Sequence, residues 1–225
     1  NRPSVPVLAG LMLQTAGNEL TLAGFDYETS TRATLPAEAS DEGRALVSGR
    51  LLSEIVKSLP NKPVDISLDG TKVQVLCGAA RFSLQTMPVD EYPQLPQMPT
   101  ASGTVKADDF ATAVSQASAA AGRDEMLPLL TGVRLEFEGG TISLMATDRF
   151  RASLRDVIWY PEVADVSARA LVPARVLNDT AKALTSGSDV TIAVSSGENG
   201  DGRIGFEGVV GNGVRRTTTR LLEGD

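Results

Sequence analysis

The sequence predicts an α+β fold made of repeated antiparallel units, and three observations predict it. The chain repeats itself at a nearly constant offset, each copy carries apolar alternation around glycine-containing turns, and each copy has one stretch at helical spacing. The repeat opens with Pro6-Val7-Leu8-Ala9-Gly10-Leu11, which matches Pro128-Leu129-Leu130-Thr131-Gly132-Val133 at an offset of 122 residues. Twenty residues after each proline stands an aspartate, Asp26 and Asp148. Leu46-Val47-Ser48-Gly49-Arg50, with Lys57 and Leu59, matches Leu171-Val172-Pro173-Ala174-Arg175, with Lys182 and Leu184, at offset 125. Val64, Ile66 and Leu68 match Val190, Ile192 and Val194 at offset 126, and residues 81–90 resemble residues 216–225 at offset 135. The offset grows where loops lengthen, while the elements keep their order.

Each element follows from local pattern. Leu11-Met12-Leu13 and Leu20-Thr21-Leu22 flank Gly17-Asn18, as Val133-Arg134-Leu135 and Ile142-Ser143-Leu144 flank Gly139-Gly140, so each copy begins with a hairpin. Residues 49–59 place Leu52, Ile55, Val56 and Leu59 on one helical face and end at Lys62-Pro63; residues 174–184 repeat this and stop before Gly187. Two alternating strands are expected after each helix. Cys77, the single cysteine, ends the alternating run Val73-Gln74-Val75-Leu76-Cys77 and is expected to be a buried small apolar residue. Pro88, Pro93, Pro96 and Pro99 favour extended backbone between the copies. An alanine-rich helix is expected over residues 107–121, with Asp108 and Asp109 as cap and dipole partners and Gly122 as its stop. Asn1 aligns with Arg123, and Asp225 aligns with Asp90. The expected organisation is therefore a first domain over residues 1–93 lacking its first helix, a linker over 94–104, and a second domain over 105–225 lacking its last strand.

Composition narrows the chemistry. A chain of 225 residues with 42% hydrophobic and 22% charged residues can bury a core. No apolar run approaches the roughly 18 residues of a bilayer span, and Asn1-Arg2-Pro3 is unlike a secretory leader, so the expectation is a cytoplasmic protein with no membrane partner. The absence of histidine removes the usual general base and the commonest zinc ligand. Asp26 and Asp148 form a symmetric pair, but they precede Tyr27-Glu28 and Arg149-Phe150 and lack the Thr/Ser-Gly of an aspartic protease; turn capping is the preferred reading. Residues 197–208 have calcium-loop spacing, yet Gly197 and Gly208 stand where ligands belong, which makes them a hairpin loop. No glycine-rich phosphate loop ending in Lys-Ser/Thr is present. The expectation is a non-enzyme with no cofactor and no metal. A net charge of -7 disfavours a tight phosphate grip unless the basic residues are segregated.

The paired units, together with Arg2-Pro3-Ser4-Val5-Pro6-Val7-Leu8, Ala80-Arg81-Phe82-Ser83-Leu84 through Tyr92-Pro93, Ala146-Thr147-Asp148-Arg149-Phe150-Arg151 and Thr217-Thr218-Thr219-Arg220-Leu221-Leu222, resemble the bacterial sliding clamp, the beta subunit of DNA polymerase III. The resemblance runs nearly end to end. It implies the DNA-clamp fold, with repeated domains of antiparallel sheet and channel-lining helices. In that family three domains make a chain, and two chains close head to tail around duplex DNA; this sequence resembles most of domains one and two, with the third absent.

The resemblance also implies three sites. Arg2, Arg50, Lys57, Arg123, Arg175 and Lys182 would face DNA and exchange among phosphates without reading bases; a solvated helix face is the alternative. Leu130, Thr147, Arg149, Phe150, Arg151 and Ala152 resemble half of a groove for linear peptides of polymerases, the clamp loader and repair proteins. Many relatives have a small residue and a histidine where Arg149-Phe150 stands, and leucine at Ala152. The alternative places Leu130 and Phe150 in the core. Ile55, Leu59, Arg81 and Phe82 resemble the face that meets the partner chain of a homodimer; internal packing of Phe82 is the alternative. A repeat-domain protein scaffold that never encircles DNA is the rival function.

Overall fold

Strand alternation and one helix with an apolar face organise each half of the chain. The computed structural model describes residues 5–163, 166–195 and 202–223, and the chain divides into unit 1, Asn1–Leu95, and unit 2, Pro96–Asp225.

Unit 1 runs β1 (Gly10–Ala16), β2 (Glu19–Phe25), β3 (Thr29–Pro36), β4 (Gly43–Ser48), α1 (Gly49–Ser58), β5 (Asp65–Asp69), β6 (Lys72–Cys77) and β7 (Ala80–Met87). Gly17, at φ 55°, supplies the left-handed residue of the two-residue β1–β2 turn. The strands order as β3-β2-β1-β4 and β7-β6-β5, all antiparallel. β4 joins β7 only at Leu46↔Met87 and Val47↔Thr86. Three strands therefore follow α1, where the sequence reading expected two.

Ser48 starts α1 by accepting a hydrogen bond on its Oγ from Leu51 N at 3.4 Å. Leu52 packs into a cluster with Leu13, Ala45, Val47, Val73, Val75 and Leu84, flanked by the half-buried Ile55, Leu59 and Phe82. Val56 was expected on this face and is 55% exposed. It lies about 40° from Leu52 on the side away from Ile55 and Leu59, so it overshoots the contact. Cys77 is buried, with Sγ 3.3 Å from the Pro60 carbonyl.

Unit 2 runs β8 (Gly103–Lys106), α2 (Ala107–Ser118), β9 (Gly132–Glu138), β10 (Thr141–Thr147), β11 (Ala152–Pro161), β12 (Ser167–Pro173), α3 (Ala174–Ala183), β13 (Asp189–Ser195), β14 (Arg203–Val210) and β15 (Gly213–Arg220). Two antiparallel sets, β12-β9-β10-β11 and β8-β13-β14-β15, meet where Trp159↔Val105 and Pro161↔Gly103 pair. That meeting needs glycine at 103, because an added Cβ would stand 2.5 Å from the Trp159 ring. Three strands follow α3 as well. Of the loop expected over residues 197–208, residues 197–201 lie outside the described residues, and the rest runs into β14.

α2 covers the unit 2 core with Phe110, Val114 and Ala117, all at 0% exposure. Phe110 meets Phe206 at 5.7 Å between ring centroids, and Phe137 meets Trp159 at 5.0 Å. Trp159 Nε1 donates to the Gly139 carbonyl at 2.8 Å, so the indole is buried with its polar atom satisfied. Asp108 and Asp109 sit in the first turn, where they favour the helix dipole, but the cap position is Lys106 and no side chain caps. The helix ends at Ser118; Ala120 and Ala121 continue in tighter turns onto Ala117 and Ser118. Gly103 and Thr104, read from sequence as the end of the linker, belong to β8. No helix among the described residues is long and apolar enough to cross a membrane.

Candidate functional site

Strand register builds a groove of about 1060 Å³ on unit 2. Met145 and Leu154 face each other across β10 and β11, and Arg134 stands opposite Met145 on β9. Leu129 and Leu130 enter from the 3-10 turn Pro128–Thr131, and Leu171 and Leu222 close the far side, with Leu222 N donating to the Leu171 carbonyl at 2.8 Å. The rim carries Arg134 and Arg169, both paired to Glu136 at 2.7 and 3.3 Å, and Glu223. The arrangement suits an extended apolar ligand whose backbone can pair with polar groups at the edge.

Of the residues expected here, Leu130, Thr147 and Ala152 line the groove. Arg149, Phe150 and Arg151 stand on the β10–β11 turn beyond it. Asp148 organises that turn: its Oδ1 accepts from Phe150 N at 3.1 Å and Arg151 N at 3.0 Å, and its Oδ2 accepts from Arg151 Nε at 2.9 Å. The Arg151 backbone N–H leads in holding the Asp148 carboxyl below its usual range, against some desolvation, with the Arg151 guanidinium and Phe150 N–H adding. Arg149 adopts φ 78°. Asp26 builds the same turn in unit 1, accepting from Glu28 N and Thr29 N at 3.1 and 2.7 Å, with Tyr27 at φ 74°. Both aspartates therefore cap turns, as the sequence reading preferred. Phe150 is 92% exposed and is not a core residue.

Sequence reasoning missed Met145, Leu154, Leu171 and Leu222. Met145 and Leu154 look like ordinary strand residues until the β10–β11 register sets them side by side. The repeat offers a signal for the other two, because Leu171 and Leu222 are the counterparts of Leu46 and Met87, which pair in unit 1.

The basic residues lie elsewhere. Arg50 and Arg175 each occupy the second position of their helix, and Lys57 and Lys182 the ninth; all four are exposed. Seven residues make close to two turns, so each Arg and Lys share a face about 10 Å apart along the axis. Arg50 pairs with Glu54 at 3.0 Å, with side chains 85% and 57% exposed, an arrangement that water screens. Arg123 is exposed between α2 and the 3-10 turn, and Arg2 lies outside the described residues.

The third expected group sits at one edge of unit 1. β7 pairs with β6 from Ala80 to Gln85, and its opposite side over those residues has no strand of unit 1 against it among the described residues. Arg81 is exposed there, while Phe82, Ile55 and Leu59 are half-buried against the Leu52 cluster. Among the described residues, no group of three or more His, Cys, Asp or Glu side chains is placed to hold a metal ion.

Comparison with known proteins follows the two units. Residues 1–96 match the family described as DNA polymerase III beta subunit, N-terminal domain, and residues 104–225 match DNA polymerase III beta subunit, central domain. The beta sliding clamp of Streptomyces coelicolor is 57% identical over 224 residues, covering 100% of this chain and 58% of that protein. The chain thus spans less than two thirds of that relative. The crystal structure of the DNA polymerase III subunit beta from Pseudomonas aeruginosa matches 100% of this chain and 60% of its own at a TM-score of 0.85 and 27% identity. A further crystal structure, of a sliding clamp from Pseudomonas aeruginosa bound to griselimycin, matches at a TM-score of 0.84 and 25% identity, over 100% of this chain and 59% of that one. With both units accounted for in order, the chain belongs to the DNA polymerase III beta subunit family, the bacterial beta sliding clamps.

Proposed function

We propose that the chain supplies two domains of a ring that encircles duplex DNA, closes head to tail as a homodimer, and tethers the replicative polymerase, the clamp loader and repair proteins without catalysing a reaction. The observation that carries this reading is the doubled placement of Arg50 with Lys57 and Arg175 with Lys182 on α1 and α3. A cation in the first turn opposes the helix dipole by a few tenths of a kcal/mol, which the exposed pair with Glu54 about offsets for Arg50, so helix stability gives little reason for an arginine at both positions. Mobile contacts to phosphate give one, and they tolerate any base sequence. A ring retains DNA by closure, which makes a net charge of -7 compatible with DNA binding.

Peptide ligands of partners occupy the unit 2 groove in this reading, with Leu129, Leu130, Thr147, Ala152, Leu154 and Leu171 as its apolar walls. Arg149, Phe150 and Arg151 contact flanking residues from the adjacent turn. The Ala80–Gln85 edge of β7, with Arg81, Phe82, Ile55 and Leu59, meets the partner chain by strand addition.

The test is retention of the complete ring-forming protein on nicked circular DNA, after loading by the clamp loader with ATP, before and after the circle is cut. Retention lost on linearisation is the expected result. Equal retention on both forms favours a scaffold that does not encircle DNA. Arg50→Glu with Arg175→Glu is expected to reduce loading or retention while leaving partner-peptide binding unchanged. Leu154→Asp is expected to abolish binding of partner peptides, the clamp loader's among them, and to leave homodimerisation intact, because it sets an unpaired charge in an apolar wall.

A further inference from the structure

β11 carries an apolar line on its outward face that its counterpart in unit 1 lacks. Val157 and Trp159 point into the core, so Leu154, Asp156, Ile158 and Tyr160 share the opposite face. Leu154, Ile158 and Tyr160 are 59%, 69% and 56% exposed. β11 has a neighbour on each side, with Ile158 opposite Thr141 of β10 and Tyr160 opposite Thr104 of β8. The exposed side chains therefore belong to a sheet face and not to an edge awaiting a strand.

The repeat shows that the fold does not require this line. The β2–β3 and β10–β11 ladders keep one register at the offset of 122, with Ala23↔Arg32 matching Met145↔Leu154 and Glu19↔Pro36 matching Thr141↔Ile158. A cross-strand bond repeats as well: the Thr21 and Thr34 hydroxyls lie 3.0 Å apart, and Ser143 Oγ donates to Asp156 Oδ1 at 2.6 Å. At the same offset, Leu154, Ile158 and Tyr160 stand where unit 1 has Arg32, Pro36 and Glu38, all exposed. Strand propensity alone would be served by threonine, as at the neighbouring Thr104 and Thr141. The line starts at the groove, whose wall includes Leu154, and reaches Tyr160 about 20 Å further along the strand. Its free charge is acidic. Asp156 and Glu138 form no ion pair among the described residues, whereas Lys106 is held by Asp189 at 2.8 Å, and Arg134 and Arg169 by Glu136.

We propose that this line seats the flank of a partner's groove-bound peptide, an extended segment in which a lysine or arginine faces Asp156 and apolar side chains cover Ile158 and Tyr160. Side chains on one face of an extended ligand recur every second residue, the same spacing as Asp156, Ile158 and Tyr160 on β11. Continuity with the groove and the unpaired acidic charge select this occupant. The groove-bound motif holds its own flank at high local concentration, so modest contacts along β11 suffice. This inference rests on the reading of the groove as a peptide site and extends that site beyond the groove wall.

The test measures, by fluorescence anisotropy on the complete ring-forming protein, a labelled synthetic peptide with leucine and phenylalanine anchors and two longer versions of it. One is extended at its C-terminus by Gly-Lys-Gly-Leu-Gly-Leu and the other at its N-terminus by Leu-Gly-Leu-Gly-Lys-Gly. The extension that runs toward β11 is expected to tighten binding about tenfold through its two leucines and its lysine. Replacing that lysine by glutamate is expected to cost about threefold or more of the gain. Ile158→Thr with Tyr160→Thr is expected to erase the gain and leave the affinity of the unextended peptide unchanged, which also reports that the groove and its strands are folded. Equal affinity of all three peptides, or a gain that survives the double substitution, would overturn the proposal while the groove reading stands. Failure of the unextended peptide to bind the unsubstituted protein would sink the groove reading, and this proposal with it.

Discussion

β5 of unit 1 and β13 of unit 2 carry matching sequences and end in different surroundings. Val64 and Ile66 are 44% and 40% exposed, whereas their counterparts Val190 and Ile192 are at 0%. β13 pairs with β8 on one side and β14 on the other, and Phe110, Val114 and Ala117 of α2 share its core cluster. β5 pairs only with β6 among the described residues. An alternating sequence thus specifies a strand and its two faces, while burial depends on which neighbour arrives to cover one of them.

Removing the cover should make unit 2 resemble unit 1. Phe110→Ala deletes the largest α2 side chain over β13 and is expected to destabilise unit 2 by about 3 to 5 kcal/mol in denaturant unfolding. The paired substitutions Ile192→Ala and Ile66→Ala sharpen the contrast: the first should cost about 2 to 4 kcal/mol and the second under about 1. Similar costs at the two sites would mean that β5 is covered in solution. Hydrogen exchange offers a milder probe, with β5 amides expected to exchange at least about tenfold faster than those of β13.

Tyr92→Phe probes one buried hydrogen bond of unit 1, from Phe25 N to the phenol oxygen at 2.8 Å. It leaves Phe25 N without the phenol, so unit 1 should lose about 1 to 2 kcal/mol while unit 2 is unaffected. Burial pushes the Tyr92 phenol above its ordinary range, opposed by the Phe25 N–H and aided by Asp26, so the hydroxyl remains a donor at neutral pH.

The smallest effect concerns the turn beside the groove. The folded state holds the Asp148 carboxyl below its ordinary value of about 3.9. Its stabilisation is therefore present above about pH 4 and is lost as pH falls through the lower folded value. Amide shifts of Phe150 and Arg151 are expected to titrate with a midpoint below 3.9 on that ordinary scale, and Asp148→Asn should remove this titration.

Much of the fold was legible because local periodicity dictated it. Gly17-Asn18 and Gly139-Gly140 marked their hairpins, and Leu52 with Leu59 marked the buried face of α1. Gly103 and Thr104 escaped because a proline-rich run precedes them, and their strand character comes from pairing with β11 and β13. The groove was half legible. Leu130, Thr147 and Ala152 came from family resemblance, whereas Met145 and Leu154 are set side by side only by the β10–β11 register, and Leu171 and Leu222, far apart in sequence, are signalled only through the repeat. Phe150 looked apolar enough to line the groove, but the turn that Asp148 organises points it into solvent.

The Tyr92 hydroxyl also imposes a timetable on biosynthesis. It joins residue 92 to Phe25 and Gly10, across 67 and 82 positions of sequence. At ribosomal rates of about 5 to 20 residues per second, Phe25 is made roughly 3 to 13 seconds before the residue that completes its bonding. The first hairpin must wait through that interval with Phe25 N and the Gly10 carbonyl lacking the phenol, so a pause in translation before the Tyr92 codon would prolong the life of an incomplete unit 1.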